Sequence, residues 1–203
     1  MTANYTVVTV VACEPAYVQE ATGHVSTLVG ELMEKANCVG ARYGVMGTGA
    51  DAGSLVLFQS YASLGDIEKV FDVYAASSAY QAVITSGKVS VTLRNIIKLD
   101  DVQLSNPSTD TPSYGVVTLI SGSGLTTERM KGFVPIFEQN GAMLMRFGTL
   151  ITGSNAGKRL VGVTYPSMAA IEKTYDGLRA SADYQSLMSE VTLERREIIR
   201  FVG

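Results

Sequence analysis

The chain carries an internal duplication. At a fixed offset of 104, residues 42–81 align without a gap on 146–185, and sixteen of those forty positions are identical. Shared positions include Arg42/Arg146, Gly49/Gly153, Gly53/Gly157, Tyr61/Tyr165, Tyr80/Tyr184 and Gln81/Gln185. Ile67-Glu68-Lys69 recurs as Ile171-Glu172-Lys173. Upstream, Tyr5-Thr6-Val7-Val8-Thr9-Val10 reads like Tyr114-Gly115-Val116-Val117-Thr118-Leu119; downstream, Arg94-Asn95-Ile96-Ile97 reads like Arg196-Glu197-Ile198-Ile199. A repeat of this length makes each copy a structural unit in its own right. Between the copies, the stretch from Asp100 to Ser113 is polar and rich in Pro, Ser and Thr, as linkers are. The expected division is 1–100 for the first repeat, 101–113 for the linker and 114–203 for the second repeat.

Each copy reads β-α-β-β-α-β. The openings Tyr5–Val11 and Tyr114–Ile120 are short and rich in Val and Thr, as buried strands are. A helical spacing follows: Val18, Ala21, Val25, Leu28 and Leu32 in the first copy, Met130, Phe133, Val134 and Phe137 in the second. Asn37 and Asn140-Gly141 supply helix stops. Two strands then flank a glycine-rich turn, and a second helix starts at Ser63 or Ser167. Its expected inner stripe is Ile67, Val70, Phe71 and Tyr74 in the first copy. After Ser77 or Ser181 a break and one more helical turn are expected, then a last strand. The plan is the split βαβ, or ferredoxin-like, arrangement. A sheet apolar on both faces must be covered on both. The expected class is therefore α+β: two tandem ferredoxin-like βαββαβ repeats packed sheet to sheet as an intramolecular α/β barrel.

Composition narrows the function. The 203 residues carry sixteen Lys and Arg against nineteen Asp and Glu, a formal charge of −3. With no cluster of basic residues, a nucleic-acid partner is not expected. Apolar residues make up 46% and charged ones 17%, too apolar and too weakly charged for a disordered chain. No apolar run reaches the roughly 18–20 residues of a membrane helix, and no signal peptide is visible, so no membrane partner and a cytoplasmic location are expected. A single histidine and two cysteines leave little for a metal site, and none is expected. Cys13 and Cys38 read as reduced thiols, the weaker alternative being a bridge or redox pair.

The doubled βαββαβ plan, the Ser-x-x-x-Ile-Glu-Lys helix start and the Tyr-Gln turn after it resemble the dimeric α/β-barrel superfamily. That superfamily includes antibiotic-biosynthesis monooxygenase-like, EthD-like, NIPSNAP-like and chlorite-dismutase-like proteins. The resemblance covers nearly the whole chain. It implies a scaffold shared by cofactor-independent oxygenases, haem-binding proteins and proteins without assigned activity. The haem branch uses a histidine axial ligand, and the second copy contains none.

The candidate ligand-binding residues are Arg42, Arg146, Tyr61, Tyr165 and His24; no catalytic residue is assigned. Strand alternation puts Met143, Met145 and Phe147 on the helix side and Arg146 on the other, with Arg42 at the same parity. Two related guanidinium groups in an enclosed space would grip a carboxylate, enolate or phenolate; the alternative is internal pairing with Glu194 or Asp51. Tyr61 and Tyr165 offer phenols, against simple packing. His24 lies one step off the inner stripe of its helix, as a base or a plain flank residue. Arg94 and Arg196 read as outward charges on an edge strand. The glycine stretch 44–53 leads into a strand, so it reads as a hairpin turn and not a phosphate loop. With no cofactor expected, the resemblance implies small-molecule binding, extending to a cofactor-independent monooxygenase or isomerase on an aromatic or polyketide-like substrate. A non-catalytic ligand-binding or stress-associated protein and a structural module without a pocket are the alternatives. A monomer and a homodimer are both compatible with the sequence.

Overall fold

The computed structural model describes residues 2–203. The chain forms two compact units: one runs to Lys98 and takes in Val202–Gly203, the other is Leu99–Phe201.

In the first unit the elements are β1 (Tyr5–Cys13), α1 (Val18–Lys35), β2 (Gly40–Met46), β3 (Leu55–Tyr61), α2 (Leu64–Ala76), α3 (Ser78–Thr85) and β4 (Val89–Leu99). β1 pairs antiparallel with both β3 and β4, and β3 pairs with β2. The sheet order is thus β4-β1-β3-β2. The second unit repeats the plan with β5 (Tyr114–Ser121), α4 (Thr127–Gln139), β6 (Leu144–Leu150), β7 (Arg159–Tyr165), α5 (Met168–Ala180), α6 (Ala182–Glu190) and β8 (Thr192–Phe201). Its order is β8-β5-β7-β6, again antiparallel. Each unit is therefore a ferredoxin-like βαββαβ repeat, and the class is α+β.

Local chemistry explains the boundaries. Ser63 and Ser167 accept the backbone N–H of Asp66 and Ala170, capping α2 and α5. Ser77 and Ser181 sit in extended backbone and cap α3 and α6 through Tyr80 and Tyr184. An extended residue that must accept the next helix's N–H breaks the helix, so α2/α3 and α5/α6 are separate rods. The piece after each break is longer than one turn, at eight and nine residues. Asn37, at φ 53°, ends the segment after α1, as Gly141 at φ 88° does after α4.

One core lies between sheet and helices in each unit. In the first it joins Val7, Leu28, Leu32, Leu57, Tyr61, Ile67, Val70, Val73 and Tyr74. Phe71 departs from the expected stripe: it is 59% exposed and Val73 is buried instead. In the second the core holds Met145 and Phe147, so these side chains do face the helices. The stretch after β4 is not a free tether. Val102 and Leu104 are buried in that second core, and Ser108 donates to the Met143 carbonyl.

Candidate functional site

A β-bulge decides which residues meet between sheet and helices. In β1, Val7, Thr9 and Val11 face the helices. On β4, Val10 lies opposite Leu93 but Val11 lies opposite Val91, so Thr92 is an extra residue. That extra residue resets the alternation and turns both Val91 and Arg94 toward the helices. The same step recurs at Glu194, between the Leu119/Arg195 and Ile120/Leu193 pairs, and turns Arg196 inward. The edge-strand expectation for Arg94 and Arg196 assumed unbroken alternation and fails there.

Each turned arginine is held the same way. Arg94 Nε donates to Thr9 Oγ1 at 3.2 Å, and one Nη lies 3.5 Å from the Tyr80 hydroxyl. Its guanidinium lies 4.6 Å from the centre of the Tyr74 ring, which stacks on Tyr80 at 4.4 Å. Arg196 Nε donates to Thr118 Oγ1 at 3.2 Å and its Nη to the Tyr184 hydroxyl at 3.0 Å, with the Tyr175 ring at 4.2 Å. Hydroxyl groups and ring faces leave the positive charge un-neutralised, unlike a carboxylate partner. No acidic side chain lines either pocket.

The floor differs between the units. In the first, fully buried Gln59 donates to the Tyr74 hydroxyl at 2.7 Å and accepts from the Tyr61 hydroxyl at 2.7 Å. Burial pushes both phenols up from their ordinary pKa, Tyr61 further through Cys38 beside it; Arg94 partly offsets the rise at Tyr74. In the second unit Val163 and Leu178 stand at the matching positions. The buried Tyr165 hydroxyl makes no well-formed hydrogen bond; burial raises its pKa, and the Thr174 hydroxyl beside it partly offsets the rise. Tyr175, one turn earlier on its helix, supplies the ring for Arg196.

The volumes differ too. The first unit's pocket is about 50 Å³ and is walled by Val25, Leu28, Leu57 and Val83 around Arg94. The second is about 30 Å³, narrowed where Met130 and Phe133 replace Val25 and Leu28. At ~10–15 Å³ per water-sized group, the first has room for a few such groups. Its mouth carries His24, Ile84 and Val91.

Of the expected residues, His24 and Tyr61 belong to this assembly, His24 at the rim and Tyr61 through Gln59. His24 Nε2 is 4.0 Å from Glu20 on the same helix. Tyr165 is fully buried on the helix side of the second sheet. Arg42 and Arg146 lie on the sheet faces turned away from the helices, since their neighbours Ala41, Tyr43, Met145 and Phe147 pack on the helix side. Arg42 lies opposite Phe58, and Arg146 opposite Gly162. Arg146 donates to its neighbour's carbonyl, Met145 O, at 3.3 Å, and burial lowers its pKa. The residues not anticipated are Thr9, Gln59, Tyr74 and Arg94. For Thr9 and Arg94 the signal was the duplication, because Thr9/Thr118 and Arg94/Arg196 each occur twice; Gln59 and Tyr74 align with Val163 and Leu178 in the other copy and carried no such signal.

The haem that one branch of the resemblance implies does not fit these residues. The second unit has no histidine and its pocket is about 30 Å³. His24 borders a pocket of about 50 Å³, far below the ~300 Å³ at which sites for drug-sized ligands begin. No group of three His, Cys, Asp or Glu among the described residues could hold a metal ion. No helix among the described residues is long and apolar enough to cross a membrane.

Solved structures share this fold over the full chain. A chlorite dismutase variant from Candidatus Nitrospira defluvii, in complex with cyanide, superposes with a TM-score of 0.65 at 7% identity, covering 100% of this chain and 92% of that one. A proposed monooxygenase from Fusobacterium nucleatum subsp. nucleatum gives 0.64 at 10% identity, covering 100% and 94%. Another, from Lactobacillus acidophilus, gives 0.56 at 11% identity, covering 99% and 94%. At such identities the likeness shows the fold and not the chemistry. No curated protein matches the chain. The family described as Domain of unknown function (DUF6854) matches twice, over residues 3–99 and 112–201. These two matches take in both repeats and nearly every residue, so the chain belongs to that family.

Proposed function

We propose that the first unit's pocket is a small-molecule site for an apolar ring bearing one anionic group. The observation that supports this is Arg94: a half-buried guanidinium with only hydroxyl and ring partners, in a pocket without a carboxylate. An apolar wall takes the ring through burial, and the cation takes a carboxylate or phenolate. His24 at the mouth offers a second polar group to the same ligand.

The catalytic extension is a cofactor-independent oxygenase or isomerase on an aromatic substrate, in line with the monooxygenases of similar fold. Arg94 would hold the deprotonated, electron-rich form of the ring, and the apolar walls would keep water from it. The test is a calorimetric titration with benzoate, salicylate and a hydroxynaphthoquinone, followed by oxygen uptake with each that binds. Arg94→Met should abolish binding while leaving the thermal unfolding curve in place. Unchanged affinity in that variant sinks the assignment.

A second reading places the anion on the other sheet face. It is favoured by Arg42, which makes no hydrogen bond or ion pair among the described residues, and by Arg146, bonded only to a carbonyl. The Arg42→Met/Arg146→Met variant separates the two: it loses binding under this reading and keeps it under the first.

A further inference from the structure

We infer that α3 is a lid over the first unit's pocket, and that its counterpart α6 is bolted shut. The two copies differ at the positions that join the last short helix to the long one. In the second unit Arg129, the residue before pocket-lining Met130, grips Glu190 on both oxygens at 2.7 and 3.0 Å. It also bonds Ser186 Oγ at 3.2 Å and the Gly124 carbonyl at 3.3 Å. One side chain of α4 therefore holds α6 at two points along its length. The geometry is the planar fork-to-carboxylate match that only arginine makes.

The first unit has none of these groups. The residue before pocket-lining Val25 is His24; Ala82 and Ser86 follow Tyr80 at the spacings at which Ser186 and Glu190 follow Tyr184. His24 meets Glu20 of its own helix, and Ser86 Oγ donates to Val83 of its own helix. Near its start α3 is tied down: Tyr80 stacks on Tyr74, and Gln81 donates to the Tyr74 carbonyl at 3.0 Å. Beyond Gln81, no side-chain hydrogen bond or ion pair joins it to α1 among the described residues. Val83 and Ile84 close the pocket by apolar contact alone, and Ile84 is 37% exposed. The helix is bounded by the extended Ser77 and by Gly87 at φ +74°, where the backbone can turn without a side-chain clash. It is thus held by polar contacts near its start, packed on α1 by apolar contact alone beyond Gln81, and flanked by two hinge points.

This goes beyond the assignment of a ligand and does not need one. A pocket of about 50 Å³ is small for a substituted ring, so the part of α3 beyond Gln81, held by apolar contact alone, would swing out to admit anything larger. An exposed bidentate pair shifts an opening equilibrium by up to about fivefold. Hydrogen–deuterium exchange on the whole chain reads that equilibrium directly. Amides of residues 82–86 should exchange several-fold faster than those of 186–190. Transplanting the clasp, as His24→Arg with Ser86→Glu, should slow exchange in α3 relative to His24→Arg alone, which carries the charge without its partner. Removing it, as Glu190→Gln, should speed exchange in α6. Equal protection of α3 and α6, or a double variant exchanging as fast as the single one, overturns the lid. Because the measurement uses the free protein, a pocket that binds no benzoate defeats the ligand assignment and leaves this result readable.

Discussion

Gln59 gives its N–H to the Tyr74 hydroxyl and takes the Tyr61 proton on its carbonyl, both at 2.7 Å, in a place with no access to water. The amide has one donor end and one acceptor end here, so the direction of both bonds is set. Gln59→Leu would strand two buried phenols at once. Each unpaired buried hydroxyl costs about 1–3 kcal/mol, so a loss of about 2–6 kcal/mol is expected in denaturant unfolding. A loss below about 1 kcal/mol would mean that the pair of bonds contributes little.

Tyr61 and Tyr165 occupy matching positions, yet only Tyr61 makes a well-formed hydrogen bond, Tyr165 having Thr174 beside it in poorer geometry. Removing a well-bonded hydroxyl and removing a poorly bonded one should therefore differ in size. Tyr61→Phe leaves the Gln59 carbonyl unpaired and should destabilise by about 1 kcal/mol or more. Tyr165→Phe deletes a desolvated group with only a poorly placed Thr174 hydroxyl beside it, and should cost less than Tyr61→Phe. Thermal melts of the two variants, side by side, check the contrast.

The duplication made most of the scaffold legible. Repeated serines at 63, 77, 167 and 181 do mark helix starts, and Asn37 does sit at a left-handed stop. Met145 and Phe147 do face the helices. What escaped was whatever depends on a single inserted residue. The bulge at Thr92 leaves no mark in the alternation of Val89, Val91 and Leu93, yet it alone turns Arg94 inward. Val102 and Leu104 lie in a stretch that reads as polar tether, and two apolar residues are too few for a periodicity to show. Phe71 and Val73 exchange places because the α2 stripe follows tertiary packing rather than residue size.

Leu28 and Phe133 line the two pockets at matching depth. Leu28→Phe should carry the second unit's narrowing into the first. Overpacking of this kind costs about 1–3 kcal/mol, while the cavity beside Arg94 shrinks further and opening of α3 can no longer make room for a ring. The expected outcome is a modest drop in unfolding midpoint with complete loss of benzoate heat in calorimetry. Retained binding would put the ligand somewhere other than this pocket.

Four buried phenols, Tyr61, Tyr74, Tyr165 and Tyr175, have pKa values raised above the ordinary one near 10, in each case chiefly through desolvation. A raised acid favours its neutral form in the native state. The stability it contributes is fully present below the unfolded pKa and is lost as pH rises through and beyond it. The native protein should thus hold these four phenols neutral until it unfolds. Absorbance near 295 nm, followed against circular dichroism in an alkaline titration, should show a rise that coincides with loss of ellipticity. Ionisation of all ten tyrosines in one step with the fold intact would show that the floor of the pocket is open to water.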